Sequence, residues 1–130
     1  MSIKILLADD QAMVRAGFRM ILEMQDDMEV VGEASDGAET ISVVKTLKPD
    51  IVLMDIQMPG MDGLEATRQI VHSRPRHARP WIVAMTANAM QGDREMCLQA
   101  GMDDYIAKPI RIEELVEALR KVQPLLEEEE

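Results

Sequence analysis

Five side chains in this sequence have types and positions that could act together on phosphate: Asp9, Asp10, Asp55, Thr86 and Lys108. Each stands where an apolar run stops. The run "IKILLA" reaches the acidic pair, "IVLM" reaches Asp55, "WIVAM" reaches Thr86 and "YIA" reaches Lys108. Three carboxylates gathered at one edge repel one another and require compensating positive charge. A divalent cation supplies it. With oxygen ligands alone and no histidine at these positions, Mg2+ suits the set better than a thiolate- or imidazole-seeking metal. An ammonium and a hydroxyl beside that ion suit phosphoryl oxygens, and a carboxylate can be the nucleophile that forms an acyl phosphate. Read alone, Asp55 would be an ordinary turn residue or helix cap. Five groups of complementary chemistry are not explained that way.

Residues so far apart in the chain meet only if the strands that carry them lie side by side. The β-branched and aliphatic run Ile3 to Ala8 reads as a buried strand. A helix over about residues 11 to 25 follows, with Met13, Val14, Gly17, Phe18, Ile21 and Leu22 predicted as its apolar face. The alternation continues with strand "MEVVGEA", a helix from Asp36 to Leu47, strand "DIVLM" and a helix from Gly63 to His72. Strand "WIVAM", a helix from Met90 to Ala100 and strand "YIAK" come next. The last helix carries Ile112, Leu115, Val116, Leu119 and Val122 on one face and is predicted to end near Pro124. Five near-continuous apolar strands alternating with five helices imply an α/β fold with a parallel sheet covered on both faces. Ligands of such sheets bind outside the carboxyl ends of the strands, where all five candidate residues fall.

Composition bounds the partners. The 130 residues, 47% hydrophobic with mixed charges, suit one folded domain. The formal net charge is -10 at pH 7, and the chain is acidic even without Glu127 to Glu130. Direct nucleic acid binding is not expected, because it needs a basic face that displaces phosphate counterions. Cys97 is the only cysteine and reads as a small buried apolar residue. With no signal-like or membrane-length apolar run, the sequence predicts a cytoplasmic protein that does not enter membranes. The segment "HSRPRHARP", residues 72 to 80, is expected to be an exposed loop with His72 and His77 solvated. Met54, Met58, Met61 and Met85 are expected to fill core and loop gaps rather than bind metal.

From Ile3 to about Val122 the chain resembles the response-regulator receiver domain of two-component signalling. The resemblance is carried by "ADD", "DIQMPGMDG", "MTANA" and "YIAKP", in family order and at family-like spacing. It implies a flavodoxin-like (βα)5 three-layer sandwich with sheet order 2-1-3-4-5. It also implies that Asp55 is the phosphoacceptor, and that Asp10, Asp55 and the backbone carbonyl of Gln57 bind Mg2+, with Asp9 acting through water. Lys108 would contact the phosphoryl group, Thr86 would be the switch hydroxyl and Tyr105 the aromatic that follows it. The Lys108 to Pro109 bond would be cis, and Gln57 and Asn88 would tune acyl-phosphate lifetime. The partner implied is a histidine kinase or phosphotransfer protein, and a homodimer could form through the fourth helix, fifth strand and fifth helix. The protein would catalyse its own phosphorylation and dephosphorylation without being a turnover enzyme.

The first half, "LLADDQAMVRAGFRMILE" and "VVGEASDG", is similar to regulators with a LuxR-type DNA-binding domain. "IVAMTANAMQGDREMCLQAGMDDYIAKPI" is similar instead to receivers of hybrid histidine kinases. Residues 1 to 123 read as the receiver and 124 to 130 as an acidic tail, with no output domain in this sequence. A stand-alone receiver, a module of a longer protein and an engineered chain all remain open. Two other classes fit less well. A phosphatase of the haloacid dehalogenase type needs a second Asp two residues after Asp55, where Gln57 stands. A flavodoxin-like FMN binder needs a Ser/Thr/Gly-rich phosphate loop after the first strand, where "DDQAM" stands.

Overall fold

A strand that is apolar at successive positions needs cover on both faces, and β3 (Ile51–Asp55) is buried at every residue. The computed structural model describes residues 2–73, 79–86, 91–108 and 110–122, with backbone alone for 91 and 92. Around β3 run β1 (Ile3–Ala8), α1 (Ala12–Glu23), β2 (Met28–Ala34), α2 (Gly37–Leu47), α3 (Gly63–Ser73), β4 (Trp81–Thr86), α4 (Gln91–Ala100), β5 (Asp104–Ala107) and α5 (Ile112–Arg120). The five strands form one sheet in the order β2-β1-β3-β4-β5, and every pairing is parallel.

Alternation along the strands splits the core in two. Ile51, Leu53, Val83 and Met85 join Leu22 of α1 and Leu115, Val116 and Leu119 of α5. Val52, Met54, Ile82 and Ala84 join Val44 of α2, Leu64 and Ile70 of α3, and Cys97 of α4. The result is the expected three-layer sandwich. Full burial of each such aliphatic side chain contributes about 1.5–3 kcal/mol, and the lost chain entropy offsets most of the sum. The predicted packing roles of Met54, Met58 and Met85 hold, since all are buried, and Met61 packs at the edge of the second core.

The structure corrects three details. Met13 is 88% exposed, and Gly17 is exposed as well. The inward stripe of α1 runs through Val14, Phe18, Ile21 and Leu22, and residues one step away turn outward because α5 occupies the rest of that sheet face. Ile112 is 49% exposed at the start of α5, and the helix ends at Arg120 with Val122 packed in the following turn. The third correction concerns the segment read as an exposed basic loop. His72 is exposed, as expected, but belongs to the last turn of α3, and the Arg79 side chain is only 6% exposed. Arg79 makes a two-pronged pair with Asp103 at 3.0 and 3.1 Å, and Asp103 also accepts from the Ile82 N–H at 2.8 Å. A buried carboxylate at the base of β4 and β5 needs a fixed cation, and Arg79 meets that need. His77 and Pro124 lie outside the described residues.

These contacts also fasten one end of α4. Asp103 N–H donates to Ile82 O at 2.9 Å and Met102 N–H to Cys97 O at 3.0 Å. Between them Gly101 has φ 108, and a Cβ there would lie 2.8 Å from Val71 Cγ2. Both the turn and the close approach require glycine.

Trp81 opens β4, paired with Ile51 at the far end of the sheet from Thr86, and packs against the α1 and α5 core. At strand rise that is roughly 16 Å from the acidic end. Its fluorescence is expected to change only weakly on titration with Mg2+; strong quenching would place the ion elsewhere.

Candidate functional site

Strand register alone brings the candidate residues to one level. Ala8 pairs with Met54, Asp55 with Met85 and Thr86 with Ala107, so Asp9 and Lys108 each lie one step past a paired residue. The ladder continues into the loops: Asp9 N–H donates to Ala34 O at 3.0 Å, Ile56 N–H to Met85 O at 3.2 Å and Lys108 N–H to Thr86 O at 2.8 Å.

Asp9, Asp10 and Asp55 each offer a carboxylate oxygen within 4.8 Å of the others. Asp9 and Asp55 are held alike. Oδ1 of Asp9 accepts from the Gln11 N–H at 2.9 Å, and Oδ1 of Asp55 accepts from the Gln57 N–H at 3.0 Å. This local turn fixes one oxygen of each carboxylate and leaves the other for the site. Lys108 Nζ stands 3.2 Å from Oδ2 of Asp55 and 4.0 Å from Oδ2 of Asp9. Oδ2 of Asp9 is buried without a hydrogen-bond partner among the described residues. Burial raises the Asp9 pKa above the usual carboxylate value; the Gln11 N–H opposes this, the Asp55 charge adds to it, Lys108 opposes it and Asp10 adds to it.

Other acids nearby do the ordinary work that Asp55 does not. Asp36 and Asp62 accept from the Glu39 and Glu65 N–H groups at 2.8 and 2.9 Å, capping α2 and α3. The loop after Asp55 folds back so closely that a Cβ on Gly63 would lie 2.5 Å from the Asp55 carbonyl oxygen. Only glycine permits that approach, which keeps the loop tight while Pro59 and Gly60 stay exposed.

Three contributors escaped the sequence reading. Arg15 Nη1 donates to the Asp9 carbonyl at 2.5 Å while its Nε pairs with Glu33 at 2.8 Å, fixing the backbone beneath the acidic pair. The Thr86 hydroxyl donates to Oδ2 of Asp93 at 3.0 Å, and the Arg94 guanidinium lies 5.4 Å from the centre of the Tyr105 ring. An arginine interrupting an apolar helix face, and an acid in the first turn after Thr86, were the available signals. Asn88 and Pro109, and with it the expected cis bond, lie outside the described residues.

A family model described as the response regulator receiver domain matches residues 5–120. The chain belongs to that family. The receiver is 41% identical over 128 residues to the transcriptional regulatory protein LiaR of Bacillus subtilis, an alignment covering 96% of this chain and 59% of LiaR. The chain therefore spans less than two thirds of that relative. Among solved structures it is similar to a LuxR-family response regulator of an Aurantimonas species, with TM-score 0.86 and 32% identity over 94% of this chain and 85% of that one. It is also similar to the receiver domain of a sensor histidine kinase of Pseudomonas aeruginosa, with TM-score 0.80 and 37% identity over 93% and 97% of the two chains. Relatives of both kinds suggested by the two halves of the sequence are thus found. The Pseudomonas structure is described with a magnesium ion coordinated in its active-site cleft.

The receiver's own residues fit such an ion. The donors are all oxygen, and the buried Oδ2 of Asp9, which accepts no hydrogen bond among the described residues and has only the distant Lys108 ammonium at 4.0 Å, is a polar group that suits a cation or its water. Mg2+ is expected to raise the melting temperature by mass action, by the equivalent of about 2.7 kcal/mol at a hundredfold excess over Kd. The gain should be smaller in Asp10→Ala; equal gains in the two proteins would remove Asp10 from the site. The sign with pH follows from Asp9. Its folded pKa is raised, so without metal the folded state binds that proton more tightly than the unfolded chain, and stability falls as pH rises through the shifted range. Mg2+ competes with the proton, so its stabilisation should grow over the same interval.

Among the described residues no helix is long and apolar enough to cross a membrane.

Proposed function

We propose that the receiver accepts a phosphoryl group on Oδ2 of Asp55 from the phosphohistidine of a histidine kinase or phosphotransfer protein. The observation that carries this reading is the asymmetry of Asp55. Its side chain is nearly buried, Oδ1 is held by the Gln57 N–H, and Oδ2 faces Lys108. In the reaction Oδ2 forms a bond to phosphorus as the phosphorus–nitrogen bond of the donor breaks, and the electron pair of that bond returns to the imidazole, which takes a proton. Lys108 supplies an ammonium to the oxygens of the transferred group. Asp10, Asp55 and the Gln57 carbonyl would hold Mg2+ directly, and Asp9 through water; the ion, when bound, offsets the charge that otherwise opposes approach of phosphate to carboxylate. Backbone ladders and the Gly63 contact keep the nucleophile from reorganising.

Once formed, the acyl phosphate offers Thr86 a new acceptor, and Tyr105 follows it. The surface of α4, β5 and α5 then changes its fitness for a partner or a second copy. The acyl phosphate is a signal that the receiver itself hydrolyses, so no sustained turnover of a generic phosphate ester is expected. The acidic balance, -10 overall, argues that the receiver itself makes no nucleic acid contact and acts on protein partners. The test is incubation with Mg2+ and acetyl phosphate, read by intact mass. One added phosphoryl group supports the reading; an unmodified chain under conditions that label other receivers would overturn it. A phosphotransfer profile against candidate kinases would then name the donor.

A further inference from the structure

The first turn of α4 reaches back to the reactive end of the sheet through Asp93, a residue outside the acidic cluster. Its carboxylate accepts from the Thr86 hydroxyl at 3.0 Å, and Thr86 is 1% exposed. An ionised carboxylate has only lone pairs to offer, so the hydroxyl must be the donor, and a hydroxyl has one proton to give. That proton cannot serve Asp93 and a phosphoryl oxygen on Asp55 at once.

We propose that Asp93 is a positioning residue that competes with the phosphoryl group for the Thr86 proton and thereby ties α4 to the unphosphorylated arrangement of the sheet edge. The proposal rests on the reading of Asp55 as acceptor. Two states follow, one with Thr86 bonded to α4 and one with Thr86 bonded to phosphate. A phosphoryl analogue binds the second state only, so its apparent affinity is lowered by the fraction of molecules in which Asp93 holds the hydroxyl. Arg94, the next residue, stacks on Tyr105, so release of Thr86 frees the same turn of α4 that braces the aromatic. Asp93 therefore sets how much of the binding free energy at Asp55 is spent in moving α4.

The test is titration of the whole chain with beryllofluoride at saturating Mg2+, followed by calorimetry. Asp93→Ala should bind about fivefold more tightly than wild type, the equivalent of one net hydrogen bond removed from the competing state. Asp93→Asn keeps an acceptor oxygen and loses the charge, so it should gain less than Asp93→Ala. In a Thr86→Val background, which has no proton to contest, Asp93→Ala should change nothing. Equal gains for Ala and Asn, or a gain that survives in Thr86→Val, would overturn the proposal in favour of simple relief of negative charge. Unchanged or weaker binding by Asp93→Ala, with normal binding by wild type, would overturn it while leaving Asp55 as acceptor. Failure of the wild type to bind beryllofluoride would overturn both readings.

Discussion

Asp55→Ala is expected to abolish acyl-phosphate labelling by acetyl phosphate in the presence of Mg2+. Removing a nucleophile costs several orders of magnitude, about 10⁶ where such losses have been dissected in a hydrolase, so labelling should fall into background. The fold should survive, because the substitution removes one of three mutually repelling carboxylates. The metal-free variant should melt no lower than wild type. Peptide mapping makes the test discriminating, since Asp9 and Asp10 are carboxylates in the same cluster. Unchanged labelling in Asp55→Ala, or phosphate mapped to the acidic pair, would sink the assignment. Asp55→Asn should behave like the alanine variant chemically while keeping an oxygen for the Gln57 N–H.

Lys108→Ala is expected to slow phosphorylation by about 10²–10³-fold, the usual cost of losing one preorganised partner of a developing charge. The ammonium stands 3.2 Å from the nucleophilic oxygen and 4.0 Å from Oδ2 of Asp9. Its removal leaves the carboxylates without their nearest cation, so Mg2+ affinity should hold or rise while transfer falls. That opposite movement separates a role on the phosphoryl group from a merely structural one. Lys108→Arg should restore little, because a planar fork cannot take the place of a compact ammonium on a flexible stem. Parallel loss of Mg2+ binding and transfer would make Lys108 a structural counter-ion only.

Much of the site was legible because parallel strands of similar length end together, so an acid after an apolar run reports both a strand end and a place at the common edge. Asp9, Asp55, Thr86 and Lys108 were found that way, and the sheet register confirms their shared level. The contacts of Arg15, Asp93 and Arg94 were not, because they join a helix to a strand end, and their geometry depends on how the helix packs rather than on any period along the chain. Arg79 was hidden by its neighbours. A string of prolines and basic residues reads as solvent-exposed, and nothing local marks the one arginine whose partner, Asp103, lies 24 residues away. Met13 and Ile112 were misplaced for a related reason: an apolar stripe wider than the sheet can cover leaves its margins in water. The tail and the domain limits beyond residue 122 lie outside the described residues.

The tightly tied Gly101 end of α4 gives this helix the mechanics of a door. Backbone hydrogen bonds and the Arg79 to Asp103 pair fix its C-terminal jamb, whereas side-chain contacts from Asp93 and Arg94 act as the catch at the other edge. Displacement in a swinging rod grows with distance from the hinge. Over the 10 residues of α4, about 15 Å at helical rise, a tilt of about 10° would carry the first turn roughly 2.6 Å and leave the last turn almost still. Under the proposed competition for the Thr86 hydroxyl, motion started at the reactive edge would be delivered to the first turn of α4, while the packing around Cys97 and Ala100 is spared.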